Sequence, residues 1–492
     1  MPVMSRRHVA ACALTLAALG PPACGSEPAP STPVPAWTLL LRHATIVDGD
    51  APPRRATVAI EDDRIAGVFD ETPSGTSLAD AQRPALDTRT RVVDLSGQWL
   101  LPGYIDAHVH LLDSSSLFTS PDDYDLRRLV PHEEERDRIR RNLPATMRRY
   151  LCAGVTTAVS LGGPSWEITE RNRLRLDPTT ARIASAGPFF ANFPVGEFTL
   201  WTRDDPVLIQ IGSAGDVDRV LDDVSARGVD LVKIGVASYP GFNLRAFEPI
   251  LTRFVEQAHA HRLQVAVHAE ELELAKAVLR AGVDVLAHVV SDRLVDEEFL
   301  ALARAKPIVV TSGISTIDSY TRVLDGRMAL LDIETRCGDP AAILSWSRLA
   351  DIPERSRPPR PSAVVWGSSD DGRHILIENT RRLFRAGIAI AVGTNGGQIG
   401  TLHGASFHRE LRALAEAGLT PAQLVKAATR NGALVLGSDA NRGTIAVGAL
   451  ADLVVLTANP LEGVERLAAI GAVVRGGVYH PATALAAQSP NP

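Results

Sequence analysis

Four histidines end apolar segments of the sequence, where their side chains could bind a divalent metal. His108 and His110 end one such segment, and His268 and His288 end two consecutive ones farther along the chain. In a β-strand the side chains alternate between faces, so His108 and His110 point to the same side. An isolated His-x-His pair is more often structural than metal-binding. Four imidazoles at neighbouring strand ends, however, match the ligands that zinc favours.

Lys233 is a fifth candidate ligand. It lies between Val232 and Ile234 in an otherwise apolar strand, and an unpaired ammonium group is costly to bury. In one interpretation its aliphatic stem lies along the strand wall while its head reaches water. In the other, CO₂ carbamylates Lys233, and the new carboxylate bridges two metal ions. The histidines at the neighbouring strand ends favour the second interpretation.

Apolar runs and amphipathic segments alternate along the central part of the chain, and these elements must position the candidate ligands. Eight candidate strands separated by helical segments favour an α/β fold, a closed (β/α)₈ TIM-like barrel. An open doubly wound sheet is the alternative, although no Gly-x-Gly-x-x-Gly turn follows an early strand. The predicted strands are Tyr104–His110, Val155–Ser160, Arg182–Gly187, Asp230–Gly235, Leu263–His268, Val283–His288, Pro307–Thr311 and Ile388–Gly393.

Shorter strands are predicted on both sides of the barrel. Residues 37–100 and 441–482 contain β-branched runs separated by acidic or glycine-containing turns, which is a hairpin pattern. We predict that the two segments together form a small β-sandwich. The barrel, residues 101–440, is then inserted between them, and residues 483–492 are a tail.

The first 25 residues are predicted to direct export, and a linker follows them. Arg6 and Arg7 precede a short apolar run, so residues 1–25 resemble a signal of the twin-arginine type. Cys24 lies at a lipoprotein-like cleavage site, and lipidation and simple cleavage both remain open. Residues 26–36 are rich in Pro and Ser and form a linker. We expect a protein of the bacterial cell envelope, either periplasmic or a membrane-anchored lipoprotein.

Composition and cysteine content restrict the function only loosely. The chain has 51 basic and 57 acidic residues and a net charge of −6, and no basic stripe predicts a nucleic-acid partner. Beyond the signal only Cys152 and Cys337 remain. They could pair in an oxidising compartment, but Cys152 lies in an apolar helical segment, so a buried free thiol is predicted.

The sequence does not decide whether the protein is a monomer or a homo-oligomer.

Several longer sequence segments contain the candidate ligands or lie elsewhere in the barrel and outer strands. They are Leu101-Pro102-Gly103-Tyr104-Ile105-Asp106-Ala107-His108-Val109-His110, Ala153-Gly154-Val155-Thr156-Thr157, Val267-His268-Ala269, His408-Arg409-Glu410-Leu411, Ala417-Gly418-Leu419-Thr420-Pro421 and Gly448-Ala449-Leu450-Ala451-Asp452-Leu453-Val454-Val455-Leu456. From about Leu39 to Gly477, the chain resembles the amidohydrolase superfamily, in particular its imidazolonepropionase-like and prolidase-like branch of exported enzymes.

The resemblance implies a hydrolase of non-standard amide or peptide C–N bonds that uses two divalent metal ions, usually Zn²⁺. His108 and His110 would bind the more buried metal ion. His268 and His288 would bind the more exposed one, and carbamylated Lys233 would bind both ions. A hydroxide bridging the metals would attack the substrate carbonyl, and His288 is also expected to take part in catalysis. The substrate would be a small molecule: a dipeptide, an N-acyl amino acid or a cyclic amide.

Asn395 departs from the family pattern. At this position, which follows the eighth strand, the family has an aspartate that binds the buried metal and moves a proton. An asparagine can offer its carbonyl oxygen to a metal, but it cannot act as a general base. Three interpretations remain: another group such as His403 moves the proton, the protein binds a ligand without turnover, or Asn395 deamidates at the Asn395-Gly396 bond.

Two further residues are predicted to contact substrate. Tyr239 follows the strand of Lys233 and could reach the scissile carbonyl. Arg322, in the long segment after the seventh strand, could bind a substrate carboxylate. The alternative function on the same scaffold is a catalytically impaired ligand-binding protein of the cell envelope.

Overall fold

The computed structural model describes residues 37–71, 90–119, 126–194, 205–352, 370–437 and 441–487. The predicted export signal, the linker and Cys24 therefore lie outside the described residues. Within the described ranges, no helix combines the length and the apolar character that a bilayer crossing requires.

The strands, in chain order, are β1 Leu39–Ile46, β2 Arg54–Glu61, β3 Arg64–Asp70, β4 Arg91–Asp94, β5 Trp99–Pro102, β6 Tyr104–Val109, β7 Val155–Ser160, β8 Arg182–Ser185, β9 Phe189–Ala191, β10 Leu208–Gln210, β11 Leu231–Gly235, β12 Gln264–His268, β13 Val285–Ala287, β14 Val309–Thr311, β15 Ala389–Ala391, β16 Leu453–Leu456, β17 Ile470–Arg475 and β18 Val478–Pro481. The helices are α1 His132–Cys152, α2 Trp166–Leu174, α3 Ala214–Ala226, α4 Leu244–Ala260, α5 Leu272–Arg280, α6 Glu297–Ala305, α7 Ile314–Leu324, α8 Asp332–Cys337, α9 Pro340–Ser347, α10 Asp370–Arg385, α11 Phe407–Glu416, α12 Pro421–Ala428, α13 Arg430–Leu434 and α14 Ala482–Ala487.

Side-chain caps start several of the helices that follow barrel strands. Ser213 accepts a hydrogen bond from the backbone N–H of Asp216 at the start of α3. Asn243 and Asp296 cap α4 and α6 in the same way. Each cap satisfies an N–H group that has no partner within its helix, so these polar residues fix where the helices begin.

One outer sheet is built from both ends of the chain. Its strand order is β18-β17-β16-β5-β1-β2-β3, with β4 paired to β1. The antiparallel pairing of β5 with β16 joins the N-terminal and C-terminal strands. Side chains from both parts, among them Leu41, Val58, Leu453 and Val474, share one hydrophobic core. The predicted association of the two chain ends is therefore present, whereas the domain boundaries at 100/101 and 440/441 remain predictions.

The central strands form a closed parallel barrel. Strands β6-β7-β8 make one parallel sheet and β10-β9-β11-β12-β13-β14-β15 make another. The N–H of Asp230 donates to the carbonyl of Ser185 at 3.0 Å, and that of Ala107 donates to the carbonyl of Val392 at 2.8 Å. These two hydrogen bonds connect the sheets at both of their junctions. The predicted TIM-like fold is confirmed, and all eight predicted strands are present.

Strands β9 and β10 were missed by the sequence analysis. Each has three residues, which is too short for an alternating hydrophobic pattern to be recognised. Because β9 pairs in parallel with β11, it places Phe189 beside the strand that contains Lys233.

Apolar side chains, several of them alanines, fill the inside of the barrel. Ala107, Ala266, Ala287 and Ala391 belong to the interior cluster, while Val267 and its counterparts in neighbouring strands pack into the larger core. Inward and outward side chains therefore alternate along the strands. The same alternation directs Lys233 and His268 inward, because they lie two residues from Leu231 and Ala266. His108, His110 and His288 break the alternation, through the register shift in β6 and the positive φ of His288.

A disulfide joins Cys152 at the end of α1 to Cys337 at the end of α8, with their Cα atoms 5.7 Å apart. The prediction of a buried free thiol at Cys152 is wrong. The two cysteines are 185 residues apart in sequence, and only the packing of the segment after β14 against α1 brings them together. The disulfide thus ties the long segment between β14 and β15 to the barrel.

Candidate active site

The five ligands predicted from the barrel strands converge at one end of the barrel. Ring centroids lie 5.1 Å apart for His108 and His110, 4.5 Å for His108 and His288, and 5.2 Å for His268 and His288. Lys233 lies in β11, and its charge acts on all four imidazoles. This is the carboxyl end of the strands, where barrel enzymes place their active sites.

An irregularity in β6 helps to orient the first histidine pair. The register between β6 and β7 shifts between Asp106 and Val109, as in a β-bulge. The Nε2 atoms of His108 and His110 lie 3.3 Å apart. Two nitrogens that bind one tetrahedral zinc ion at about 2.0–2.1 Å would be separated by roughly the same distance. The pair is therefore already spaced for a shared metal.

Hydrogen bonds to the other ring nitrogens fix the orientation of these imidazoles. Nδ1 of His110 lies 3.3 Å from the carbonyl oxygen of Gly162, to which it donates. Nδ1 of His108 lies 3.4 Å from the hydroxyl of Thr311. A proton held on Nδ1 of His110 leaves a lone pair on Nε2, which is the arrangement that metal-binding histidines show.

Burial keeps the imidazoles uncharged. It lowers the pKa of His110 to about 4 and that of His268 to about 3, with Lys233 adding to both shifts. Burial also lowers the pKa of His108 and His288 well below the ordinary value. Neutral imidazole is the form that binds metals. The four side chains are therefore suited to ligation near neutral pH.

Lys233 is buried, with 1% of its surface exposed. Burial lowers the pKa of its ammonium group to about 7, an effect that the carboxylate of Glu270 opposes. Its Nζ atom lies 5.9 Å from the centre of the Phe189 ring. A substantial fraction of the lysine is then the neutral amine, which is the nucleophilic form.

Two of the site residues have unusual backbone conformations. His288 has φ 75° and Asn395 has φ 57°, both in the left-handed region. Such conformations are costly outside glycine and concentrate at functional sites. The amide Oδ1 of Asn395 is buried without a hydrogen-bond partner. An orphaned oxygen beside imidazoles fits a metal that would complete its coordination.

The backbone holds Asn395 firmly at this position. Its N–H donates to the carbonyl of His108 at 2.7 Å. The preceding Thr394 donates its N–H and hydroxyl to the Asp106 carboxylate, at 3.0 and 2.7 Å. The side chain of Asn395 also interacts with that of His110. Asn395 therefore lies where the sequence analysis placed it, beside the first histidine pair.

Glu270 is the site residue that the sequence analysis missed. Its carboxylate and the imidazoles of His268 and His288 have ligand atoms within 4.8 Å of one another. Glu270, His288 and Asn395 also line one pocket. The signal was its position two residues after His268, at the end of β12.

His403 lies near Asn395, but both of its ring nitrogens have partners. Its Nδ1 is 2.8 Å from the Tyr150 hydroxyl, and its Nε2 is 2.8 Å from the carbonyl of Asp113. Burial lowers its pKa to about 4. To accept a proton from a substrate, His403 would have to exchange one of these partners.

The predicted substrate-binding residues Tyr239 and Arg322 contact residues other than the five candidate ligands. The Tyr239 hydroxyl donates to the carbonyl of Asn192 at 3.2 Å. Arg322 is on the last turn of α7 and pairs with Asp318 at 3.0 Å. Its position is about 12 Å along the helix from Ile314, at a rise of about 1.5 Å per residue. Their roles in substrate binding remain predictions.

Comparison with known proteins matches residues 99–479 to the model of the amidohydrolase family. The chain belongs to the amidohydrolase family. It is therefore a hydrolase acting on carbon–nitrogen bonds, as predicted. The match includes the whole barrel and the C-terminal strands of the outer sheet.

Relatives support the predicted branch, and a solved structure supports the fold. An imidazolonepropionase from Chromobacterium violaceum is 26% identical over 411 residues, covering 78% of this chain and 83% of the relative. An imidazolonepropionase from Micrococcus luteus is 24% identical over 412 residues, which cover 82% of this chain and 88% of the relative. A Xaa-Pro dipeptidase structure with bound methionine aligns with a TM-score of 0.67 at 20% identity, covering 90% of this chain and 99% of the other. At that identity the structural likeness establishes the fold alone.

Proposed function

We propose that this family member hydrolyses small amides or dipeptides and that it requires divalent metal ions, two of the Zn²⁺ type. The convergence of His108, His110, Lys233, His268 and His288 at the mouth of the barrel supports this most directly. Bound metals would acidify a water molecule and polarise the substrate carbonyl. The imidazolonepropionases and the Xaa-Pro dipeptidase give the classes of substrate to test first.

Each candidate residue would have a separate role in metal binding. His108 and His110 would hold one metal together with the Asn395 amide oxygen, and His268 and His288 would hold the other. Lys233, once carbamylated, would reach both pairs, and its lowered pKa favours the neutral amine that reacts with CO₂. Asn395 cannot accept a proton, because an amide oxygen is hardly basic near neutral pH.

The test combines metal content with turnover. The purified full chain is assayed against Xaa-Pro dipeptides, N-acyl amino acids and cyclic amides, before and after treatment with a chelator. We expect hydrolysis of at least one class, loss after chelation and recovery after Zn²⁺ and bicarbonate are restored. Hydrolysis that is unaffected by complete metal removal would overturn the proposed metal dependence. A metal-loaded protein inactive on every class would argue against this substrate range.

We also propose that the protein is exported to the bacterial cell envelope. The Cys152–Cys337 disulfide supports this, because such bonds persist in oxidising compartments. Cell fractionation of the full chain should find it in the periplasm or in the membrane fraction. Replacing Cys24 with Ser should release it from the membrane if Cys24 is lipidated, and retention in the cytoplasm would contradict export.

A further inference from the structure

Glu270 brings a carboxylate to the second histidine pair. The ligand atoms of His268, Glu270 and His288 all lie within 4.8 Å of one another. His268 and Glu270 are partly exposed, whereas His288 is buried. The three groups therefore face the accessible side of the site, where modest side-chain rotations would bring their donors onto one ion.

Two contacts hold Glu270 in this position. The hydroxyl of Ser291 donates to its carboxylate at 3.2 Å, and the N–H of Ser291 donates to its backbone carbonyl at 2.9 Å. Ser291 lies three residues after His288, so the same segment positions both candidate ligands. The adjacent Glu271 instead accepts from the N–H and hydroxyl of Ser238, at 3.0 and 2.7 Å. The two neighbouring carboxylates thus have different partners, and Glu270 is the one beside the imidazoles.

Glu270 brings a negative charge to the second histidine pair, which the first pair does not have. At the other end of the site, the donors His108, His110 and Asn395 are uncharged, because the chain has an amide at position 395. The nearby Asp106 carboxylate is already engaged by Thr394. An anionic donor stabilises a divalent cation more than a neutral one does. The set that contains Glu270 should therefore retain a metal without help from carbamylation.

We propose that Glu270 is a direct ligand, with His268 and His288, of a divalent metal ion. This proposal rests on the metal binding included in the proposed function. Two imidazoles and one carboxylate are a known ligand set for catalytic zinc, and they leave a fourth position open. The chain then has a His₂Glu site on the accessible side of the barrel mouth. It is the tighter of the two metal sites when Lys233 carries no carbamate.

The test measures metal binding directly. The full chain is stripped of metal, kept free of bicarbonate and titrated with Zn²⁺ against a chromophoric chelator, and with Co²⁺ while its visible absorption is recorded. Glu270→Gln should weaken the tighter site by more than about 10-fold, the least expected when even an outer partner of a ligand is lost. It should also change the Co²⁺ spectrum. Glu273→Gln, a mostly exposed position on α5, is the matched control and should match the wild type.

Two further measurements make the result decisive. Circular dichroism of the metal-free proteins reports whether Glu270→Gln folds, and Glu270→Asp, which keeps the charge, should recover part of the affinity and of the Co²⁺ spectrum. Unchanged affinity and spectrum in Glu270→Gln would overturn the proposal, as would a wild-type chain that binds no metal. Neither readout depends on turnover, so an inactive protein with a Glu270-dependent site would contradict only the proposed hydrolysis.

Discussion

Asn395 is the residue that sets this chain apart from the pattern its family resemblance implies. It lies beside His108 and His110 with its amide oxygen buried and unpartnered. The geometry of a ligand is therefore kept while the basicity of a carboxylate is absent. An amide at this position affects proton transfer more than metal placement, because it retains an oxygen donor.

Asn395→Asp should raise kcat for the best substrate by about 100-fold or more, the range that a positioned general base contributes. The compared proteins have the same metal content, because a difference in the fraction of metal-loaded sites would also change kcat. Asn395→Ala should lower kcat, because the oxygen donor is removed. Equal kcat for the wild type and Asn395→Asp at full occupancy would show that another group already moves the proton.

Gly313 permits the position of the His288 ring. A Cβ atom at residue 313 would lie 2.8 Å from Nδ1 of His288, and the backbone there has φ +66°. Gly313 immediately precedes α7, and Gly326, with φ +63° and nothing within 4 Å of a built Cβ, follows it. The two glycines therefore share the backbone requirement but differ in their surroundings.

Gly313→Ala should destabilise the protein by roughly 1–3 kcal/mol more than Gly326→Ala, because only the first substitution adds a steric clash. It should also weaken metal retention, since His288 must move. Chemical denaturation and metal titration of both variants measure these effects. Similar values for the two variants would indicate that the loop before α7 adjusts without displacing His288.

At the scale of the elements, buried carboxylates connect helices to strand ends. Glu410 on α11 accepts from the backbone N–H groups of Ile314 and Ser315, at 2.8 and 2.7 Å. It therefore caps the first turn of α7. In the sequence, Glu410 is the first acidic residue after Asn395. Its partners show a structural role in placing the helix that begins beside His288.

Glu167, in the first turn of α2, is a second buried carboxylate. It accepts a hydrogen bond from the Ser185 hydroxyl at the end of β8, at 3.1 Å. Burial raises its pKa to about 8, although the Ser160 and Ser185 hydroxyls oppose the shift. The folded chain therefore holds a proton on Glu167 at pH values where the unfolded chain has released it. Its contribution to stability is complete below about pH 4 and is lost as the pH rises to about 8.

Glu167→Gln should reduce the fall in unfolding free energy between pH 5 and pH 8 by up to about 1.4 kcal/mol per pH unit. Glutamine keeps the shape and the hydrogen bonds but has no proton to lose. Urea unfolding at several pH values measures the slope. Glu170→Gln on the same helix is the control and should keep the wild-type slope. An unchanged slope in Glu167→Gln would mean that Glu167 is ionised in the folded protein.

At the scale of the whole molecule, the disulfide and the outer sheet connect distant parts of the chain. Arg182 of β8 pairs with Asp452, next to β16, at 2.6 Å, which links the barrel to the outer sheet. The Cys152–Cys337 bond links α1 to the segment after β14. Both contacts join residues far apart in sequence. Only the disulfide is covalent, so it alone restricts the unfolded chain, by closing a loop across 185 residues.

The double variant Cys152→Ser, Cys337→Ser should lose about 2–5 kcal/mol of unfolding free energy, the usual cost of removing a native disulfide. Denaturation of the wild type with and without a reductant should show a loss of similar size. The reductant should leave the double variant unchanged. If the wild type and the double variant unfold at the same denaturant concentration, the bond contributes nothing measurable.

The sequence by itself determined the barrel, the association of both chain ends and the positions of His108, His110, Lys233, His268, His288 and Asn395. These features depend on local hydrophobic periodicity and on which residue ends each strand. Only the tertiary structure decided the Cys152–Cys337 pairing, the partners of His403 and the place of Glu270 in the site. Each depends on contacts between segments that are distant in sequence, and strand pairing and packing create those contacts.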